Sequence, residues 1–321
     1  MTAHARLLFI TLMLMLASAT FTLLQGLNGW PLSALDQQIL LELRLPQLLT
    51  ALIVGAALSL SSAVLQVLLR NPLADPGIIG ITSGASLCAA LYLLIGQGVA
   101  FHALQYGLPL FCFVGAMTST LLIYRLARRA PDGGNTVILA GIAISTLCGA
   151  IVAWLHLFSD AESMRNLLFW LMGSLHQANW PVLSIALPVV VLCVGYLLGQ
   201  GKPLNWLYLG SKEAQLAGLN VHRFSATALL CSAVLVGVAV SIAGSIAFVG
   251  LLVPHFLRQW LGYDNRIILP MSALCGALLM VWVGWLSTGV MTLTLPVSMI
   301  TATVGGPLFL WALMRQAGQA R

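Results

Sequence analysis

The residues able to do chemistry in this 321-residue chain are few and far apart. Its eight acids, Asp36, Glu42, Asp75, Asp132, Asp160, Glu162, Glu213 and Asp264, all fall in polar interruptions or at the ends of apolar runs. A carrier driven by protons or sodium needs an ionisable group held inside the bilayer, so this placement weakens a gradient-driven transporter without removing it. The cysteines (Cys88, Cys112, Cys148, Cys193, Cys231, Cys275) stand singly in apolar segments, with no C-x-x-C pair and no histidine at ligand spacing. They read as small buried hydrophobes. His102, His156 and His176 could meet around a metal or haem, but isolated interfacial histidines are the commoner arrangement. No zinc motif or Ser/His/Asp set stands out, and Gly201-Lys202 runs into Pro203 without the upstream glycines of a phosphate-binding loop. An enzyme is therefore disfavoured. A chain that moves a solute with this inventory is either a passive pore or is driven by a partner.

The elements that would position these residues are membrane spans. Hydrophobic residues make up 60% of the chain, charged ones 7%, and mean hydropathy is +0.99, whereas a soluble domain is roughly a quarter charged. Apolar runs near 7–25, 46–69, 78–96, 107–125, 136–157, 181–199, 224–243, 245–260, 267–286 and 296–314 predict about ten transmembrane helices in one integral-membrane domain, residues 1–321. With a cytoplasmic N-terminus this arrangement leaves only Arg44 and Arg165 of the 14 Lys and Arg outside, a bias that supports the span count and puts both termini in the cytoplasm. The net charge of +6 is explained by that orientation and does not indicate nucleic acid. The first run ends in Ala17-Ser18-Ala19, like a signal-peptidase site, but stays apolar through Leu24 and is expected to remain as a span.

Three stretches depart from plain spans. Arg70 to Gly80, Arg-Asn-Pro-Leu-Ala-Asp-Pro-Gly-Ile-Ile-Gly, cannot continue a helix, because Pro72 and Pro76 remove donors and bend the preceding residue away from helical geometry. Lying between two spans, it must sit at a membrane surface or line a protein-enclosed cavity. Residues 160–177 are amphipathic and too polar to span, which predicts a short outer interfacial helix, with Trp170 and Trp180 in the aromatic belt as the plainer alternative. Residues 201–223 form the longest cytoplasmic segment. There Ser211 is expected to cap a short helix over 212–217 that Gly218 ends, and Leu207, Leu209, Leu216 and Leu219 beside it suit docking onto a soluble partner. Leu45-Pro46 and Leu295-Pro296 both read as helix starts, each followed nine residues after the proline by a small pair.

With these motifs in place the chain resembles a known family. Arg44-Leu45-Pro46, Gly55-Ala56-Ala57-Leu58, Asn71-Pro72-Leu73-Ala74-Asp75-Pro76, Ser83-Gly84-Ala85, Leu139-Ala140-Gly141, Leu209-Gly210, Gly250-Leu251-Leu252-Val253-Pro254-His255, Arg258 and Leu295-Pro296 are similar, in order and over essentially the whole length, to the permease subunit of bacterial ABC importers for iron-siderophores, haem and cobalamin. The resemblance implies alternating access in the bacterial inner membrane, a second permease subunit (a copy or a paralogue), two cytoplasmic ATPase subunits that use ATP and Mg, and a periplasmic substrate-binding protein. It implies no cofactor or metal bound by this chain. It further implies a cytoplasmic gate at Asn71, Leu73, Gly134 and Asn135, ATPase coupling through Leu209, Gly210, Ser211, Glu213, Ala214 and Gly218, and docking of the binding protein by Arg44. The chain departs from the family at Ser211, where an acid usually follows Leu-Gly, and at Gln47, Ser287 and Thr294, where outer charges are usual, so docking charge is reduced.

Overall fold

The structure is a computed structural model describing residues 3–25, 33–77, 79–95, 106–127, 133–177, 179–289 and 294–319, and among these all regular structure is helical. The helices are α1 (Ala3–Leu24), α2 (Ala34–Gln38), a π-helical turn (Ile39–Arg44), α3 (Leu45–Leu68), α4 (Ile81–Ile95), α5 (Gly107–Ala127), α6 (Gly133–Leu157), α7 (Ala161–Leu171), α8 (Trp180–Leu198), α9 (Gly201–Leu209), α10 (Ser211–Leu216), α11 (Val221–Ala243), α12 (Val249–Leu261), α13 (Asn265–Gly289) and α14 (Val297–Gln319). Each of the ten expected spans has a helix. Seven apolar helices among the described residues are long enough to cross a bilayer, while Ile81–Leu94, α12 and Val297–Ala312 are shorter apolar pieces.

Helix α3 is the hub, packed against α13, α11 and α12, while α4 packs on α5 and α6. From Ala57 to Val67 it is buried on every side, which its small residues permit. Its hydroxyls bond locally, as in Thr50 to Pro46 O (2.7 Å) and Ser61 to Leu58 O (3.0 Å), so that part of the polar load is met within the helix. At the crossing with α13, a Cβ built on Gly55 would lie 2.2 Å from Gly276 O, and one on Gly276 would lie 2.3 Å from Gly55 O. The two backbones touch because neither residue has a side chain. Gly84 and Gly115 make the same reciprocal contact between α4 and α5.

Two expectations are corrected. Leu45-Pro46 does not begin a helix: α2, opened by a Ser33–Asp36 capping box, runs through the π-helical turn into α3. In that wider turn Leu45 N–H reaches Leu40 O, easing the register ahead of a proline that has no N–H to give. Trp170 is not in an aromatic belt but buried, whereas Trp180 is exposed and donates to Leu41 O (2.9 Å). Asp160 caps α7, and the segment that follows α7 is tied down: Ser174 N–H donates to Ala243 O (2.8 Å), Val297 N–H to Gly173 O (3.1 Å) and Ser298 N–H to Met172 O (3.0 Å). Those bonds fasten α7 to the α11–α12 reversal and the start of α14, which explains why Trp170 turns inward.

Candidate functional site

The connection between α3 and α4 is shaped by its own side chains. Arg70 takes a left-handed φ of 51°, which stops α3, and Asn71 N–H returns to Gln66 O (3.1 Å). Asn71 Oδ1 then accepts from Leu73 N–H (2.9 Å), and Asp75 Oδ2 from Gly77 N–H (2.9 Å), two side-chain turns around Pro72 and Pro76. Gly80, at φ 88°, completes the reversal against α6, where a Cβ would lie 3.1 Å from Gly141 O. Ser83 and Ser145 join α4 to α6 at 2.9 Å.

Asp75 lies deeper than a surface loop would put it. A Cβ on Gly250 would lie 2.9 Å from Asp75 Oδ1, 2.3 Å from Ser62 Oγ and 3.1 Å from Leu58 O, so the loop folds back beside the body of α3. Although part of the residue still reaches solvent, burial pushes its carboxyl pKa up to about 6, against the opposing pull of the Gly77 N–H. The sequence had placed this acid simply at a span boundary.

The α9–α10 hairpin stands at the same end of the molecule. Gly210 (φ 159°) separates the two helices, and the Glu213 carboxylate occupies the space a Gly210 side chain would need. Helix α10 ends as its sequence predicts: Gly218 is left-handed (φ 87°), its N–H reaches Gln215 O (2.9 Å), and Leu219 N–H reaches Ala214 O (3.0 Å), a glycine-closed C-terminus. Its start is corrected. Gly210 is the N-cap with no side-chain bond, and Ser211, inside the first turn, instead accepts from Arg70 Nη2 at 2.8 Å. Ala214 is fully buried, while Leu209 (74% exposed) and Leu216 (88%) face outward.

Beneath the hairpin runs a polar network that sequence reasoning missed. Asn205 Oδ1 accepts from Asn265 N–H (2.7 Å) and Nδ2 (2.9 Å), Asn205 Nδ2 donates to Asp264 (2.7 Å), and Arg266 pairs with Asp264 at 2.7 Å. Its members are scattered over residues 205–266, so only the placement of all four polar residues outside apolar runs could have signalled it.

Of the residues named from the sequence, the structure brings Arg70, which leads into Asn71 and Leu73, against Ser211 of α10. Gly134 and Asn135 begin α6, but their side chains lie outside the described residues. Arg44 is at the opposite end, where its Nη1 donates to Leu23 O (2.7 Å) and to Gln25 O, the terminal carbonyls of α1. Among the described residues no cluster of three or more His, Cys, Asp or Glu could hold a metal.

Residues 5–315 match the FecCD transport family. The chain belongs to that family. It is 41% identical over 302 residues to the vitamin B12 import system permease protein BtuC of Vibrio cholerae, covering 91% of this chain and 87% of the relative. It is also 41% identical over 283 residues to the hemin transport system permease protein HmuU of Yersinia pestis, covering 88% and 84%. A solved chain, from an inward-facing conformation of a metal-chelate type ABC transporter, superposes with a TM-score of 0.87 at 33% identity, covering 97% of this chain and 99% of that one. The resemblance read from the motifs therefore holds: this FecCD protein is a multi-pass membrane permease of the ABC-importer class, and none of these relatives favours a gradient-driven carrier.

Proposed function

We propose that this FecCD permease carries an iron chelate, haem or a corrinoid inward across the bacterial inner membrane, with N- and C-termini cytoplasmic. It does so with a second permease subunit, two ATPase subunits that hold the ATP and Mg, and a periplasmic binding protein. The chain itself binds no cofactor in this scheme. The contact from Arg70 to Ser211 carries the reading: it joins the loop bearing Asn71 and Leu73 to the first turn of α10. A partner that grips Leu209 and Leu216 and moves the hairpin would pull directly on that loop. Gly210 and Gly218 fix the hairpin's shape, Glu213 braces Gly210, and Ala214 packs the hairpin onto the body, while Gly134 and Asn135 complete the gate at the start of α6. Arg44 serves the binding protein at the far end.

The test is Gly218→Pro. Proline fixes φ near −65°, incompatible with the observed 87°, so the end of α10 must rearrange while the spans are untouched. The variant should insert normally and lose transport-coupled ATP hydrolysis by the partner. Normal coupling in a chain lacking residues 210–218 would sink the assignment.

A further inference from the structure

Arg258 is an unusual residue to find buried. Only 6% exposed, it gives Nη2 to Ala63 O (3.0 Å) and Asn265 Oδ1 (3.0 Å) and Nε to Gln66 Oε1 (3.2 Å), while Nη1 has no partner among the described residues. None of those acceptors is charged. The nearby carboxylate of Asp264 is held by Arg266 and Asn205. A guanidinium taken out of water without a counter-charge is costly, and the usual remedy is an anion.

The surroundings are built for one. Arg258 lines a cavity of about 350 Å³ together with Gln66, Val67, Arg70, Pro72, Tyr208 and Tyr263. Gln66 is 4% exposed and its Nε2 is also unpartnered among the described residues. Tyr208 and Tyr263 stack with centroids 5.3 Å apart, which holds both phenols at the rim. Two guanidiniums, an amide and two phenols contribute donor-bearing side chains to its lining, and among the described residues no acid lines the cavity. That donor set suits a many-oxygened anion of the phosphate class better than a single carboxylate.

We propose that this cavity between the end of α3, α9 and the α12–α13 connection binds a phosphate-class oxyanion, as free phosphate or as the headgroup of an anionic phospholipid. Both sources are chemically plausible at the polar end of a helix bundle. Because the anion would touch Arg258 beneath the loop and Arg70 on it, occupancy would stiffen the loop against the bundle. The inference does not rest on the transport reading.

Arg258→Gln could disturb folding through Asn265, so the informative variants are Arg70→Gln, at an exposed position, and Tyr208→Phe, which keeps the stack. In the full chain purified free of lipid, thermal unfolding is followed in millimolar sodium phosphate against sodium chloride of equal ionic strength. In parallel, nanodiscs of phosphatidylglycerol are compared with phosphatidylcholine. A rise in Tm of about 2 °C or more that is specific to the wild type identifies the ligand: in phosphate, free anion; in phosphatidylglycerol only, the lipid headgroup. Equal responses of wild type and both variants in both arms would overturn the proposal, since general salt exclusion acts on all three alike.

Discussion

Replacing Gly55 and Gly276 with alanine, singly and together, tests the α3–α13 contact on which the whole bundle is built. Each added Cβ would meet the partner's carbonyl oxygen at 2.2–2.3 Å. A tolerable contact is about 3.4 Å, so the backbones must part by roughly 1 Å, because Gly276 O and Gly55 O, unlike the nearby Ser59 hydroxyl, cannot rotate away. Overpacking of this kind costs about 1–3 kcal/mol, against which alanine returns up to about 1 kcal/mol of helix preference. Each single variant should lose about 1–2 kcal/mol net. The separation that admits one methyl also admits the other, so the double variant should lose clearly less than the sum. Gly195→Ala in α8, where a Cβ meets nothing within 4 Å, is the matched control and should be neutral or stabilising. Reversible unfolding in mixed micelles gives all four values. Single variants as harmless as Gly195→Ala, or a strictly additive double, would refute the packing argument.

Asp75 gives a pH prediction. Its folded pKa, about 6, lies above the ordinary 3.8, so between those values the folded chain binds more protons than the unfolded one. Its contribution should therefore be most favourable below pH about 4 and fall by at most about 3 kcal/mol as pH rises to 6 and beyond. Asp75→Asn, which keeps an oxygen for Gly77 N–H, should remove that decline in a pH series of unfolding curves; an unchanged slope would place the titration elsewhere. Gly134→Trp should abolish uptake while leaving membrane abundance unchanged, and normal uptake would take α6's first turn out of the gate. Arg44→Ala should loosen the end of α1 by up to about 1 kcal/mol and weaken capture of the binding protein, read by pull-down at low and high salt.

Much of this was legible in the chain because its signals are local. Apolar run length locates the spans, and Gly218 announces the end of α10 through a φ that other residues adopt at a cost. What failed was non-local. Pro46 looks like a helix start until the π-helical turn before it is seen to absorb the missing N–H. Ser211 has the right type for a cap, but Arg70, 141 residues away in sequence, claims its hydroxyl. Trp170 is interfacial by type and buried by virtue of backbone bonds from α7's tail to α11 and α14. Asp75 sits in a sequence-level loop, yet only the absence of a side chain at Gly250 lets it approach α3.

The central claim, that this FecCD permease works as the membrane half of an ATP-driven importer, is tested most directly by its company in the membrane. The tagged chain is purified in mild detergent from native membranes and its companions are identified by mass spectrometry. The account predicts an ATPase with a phosphate-binding loop in stoichiometric yield, whose loss on Gly218→Pro would locate the contact at α10. Recovery of the chain without any ATPase, repeated after cross-linking in living cells, would contradict it.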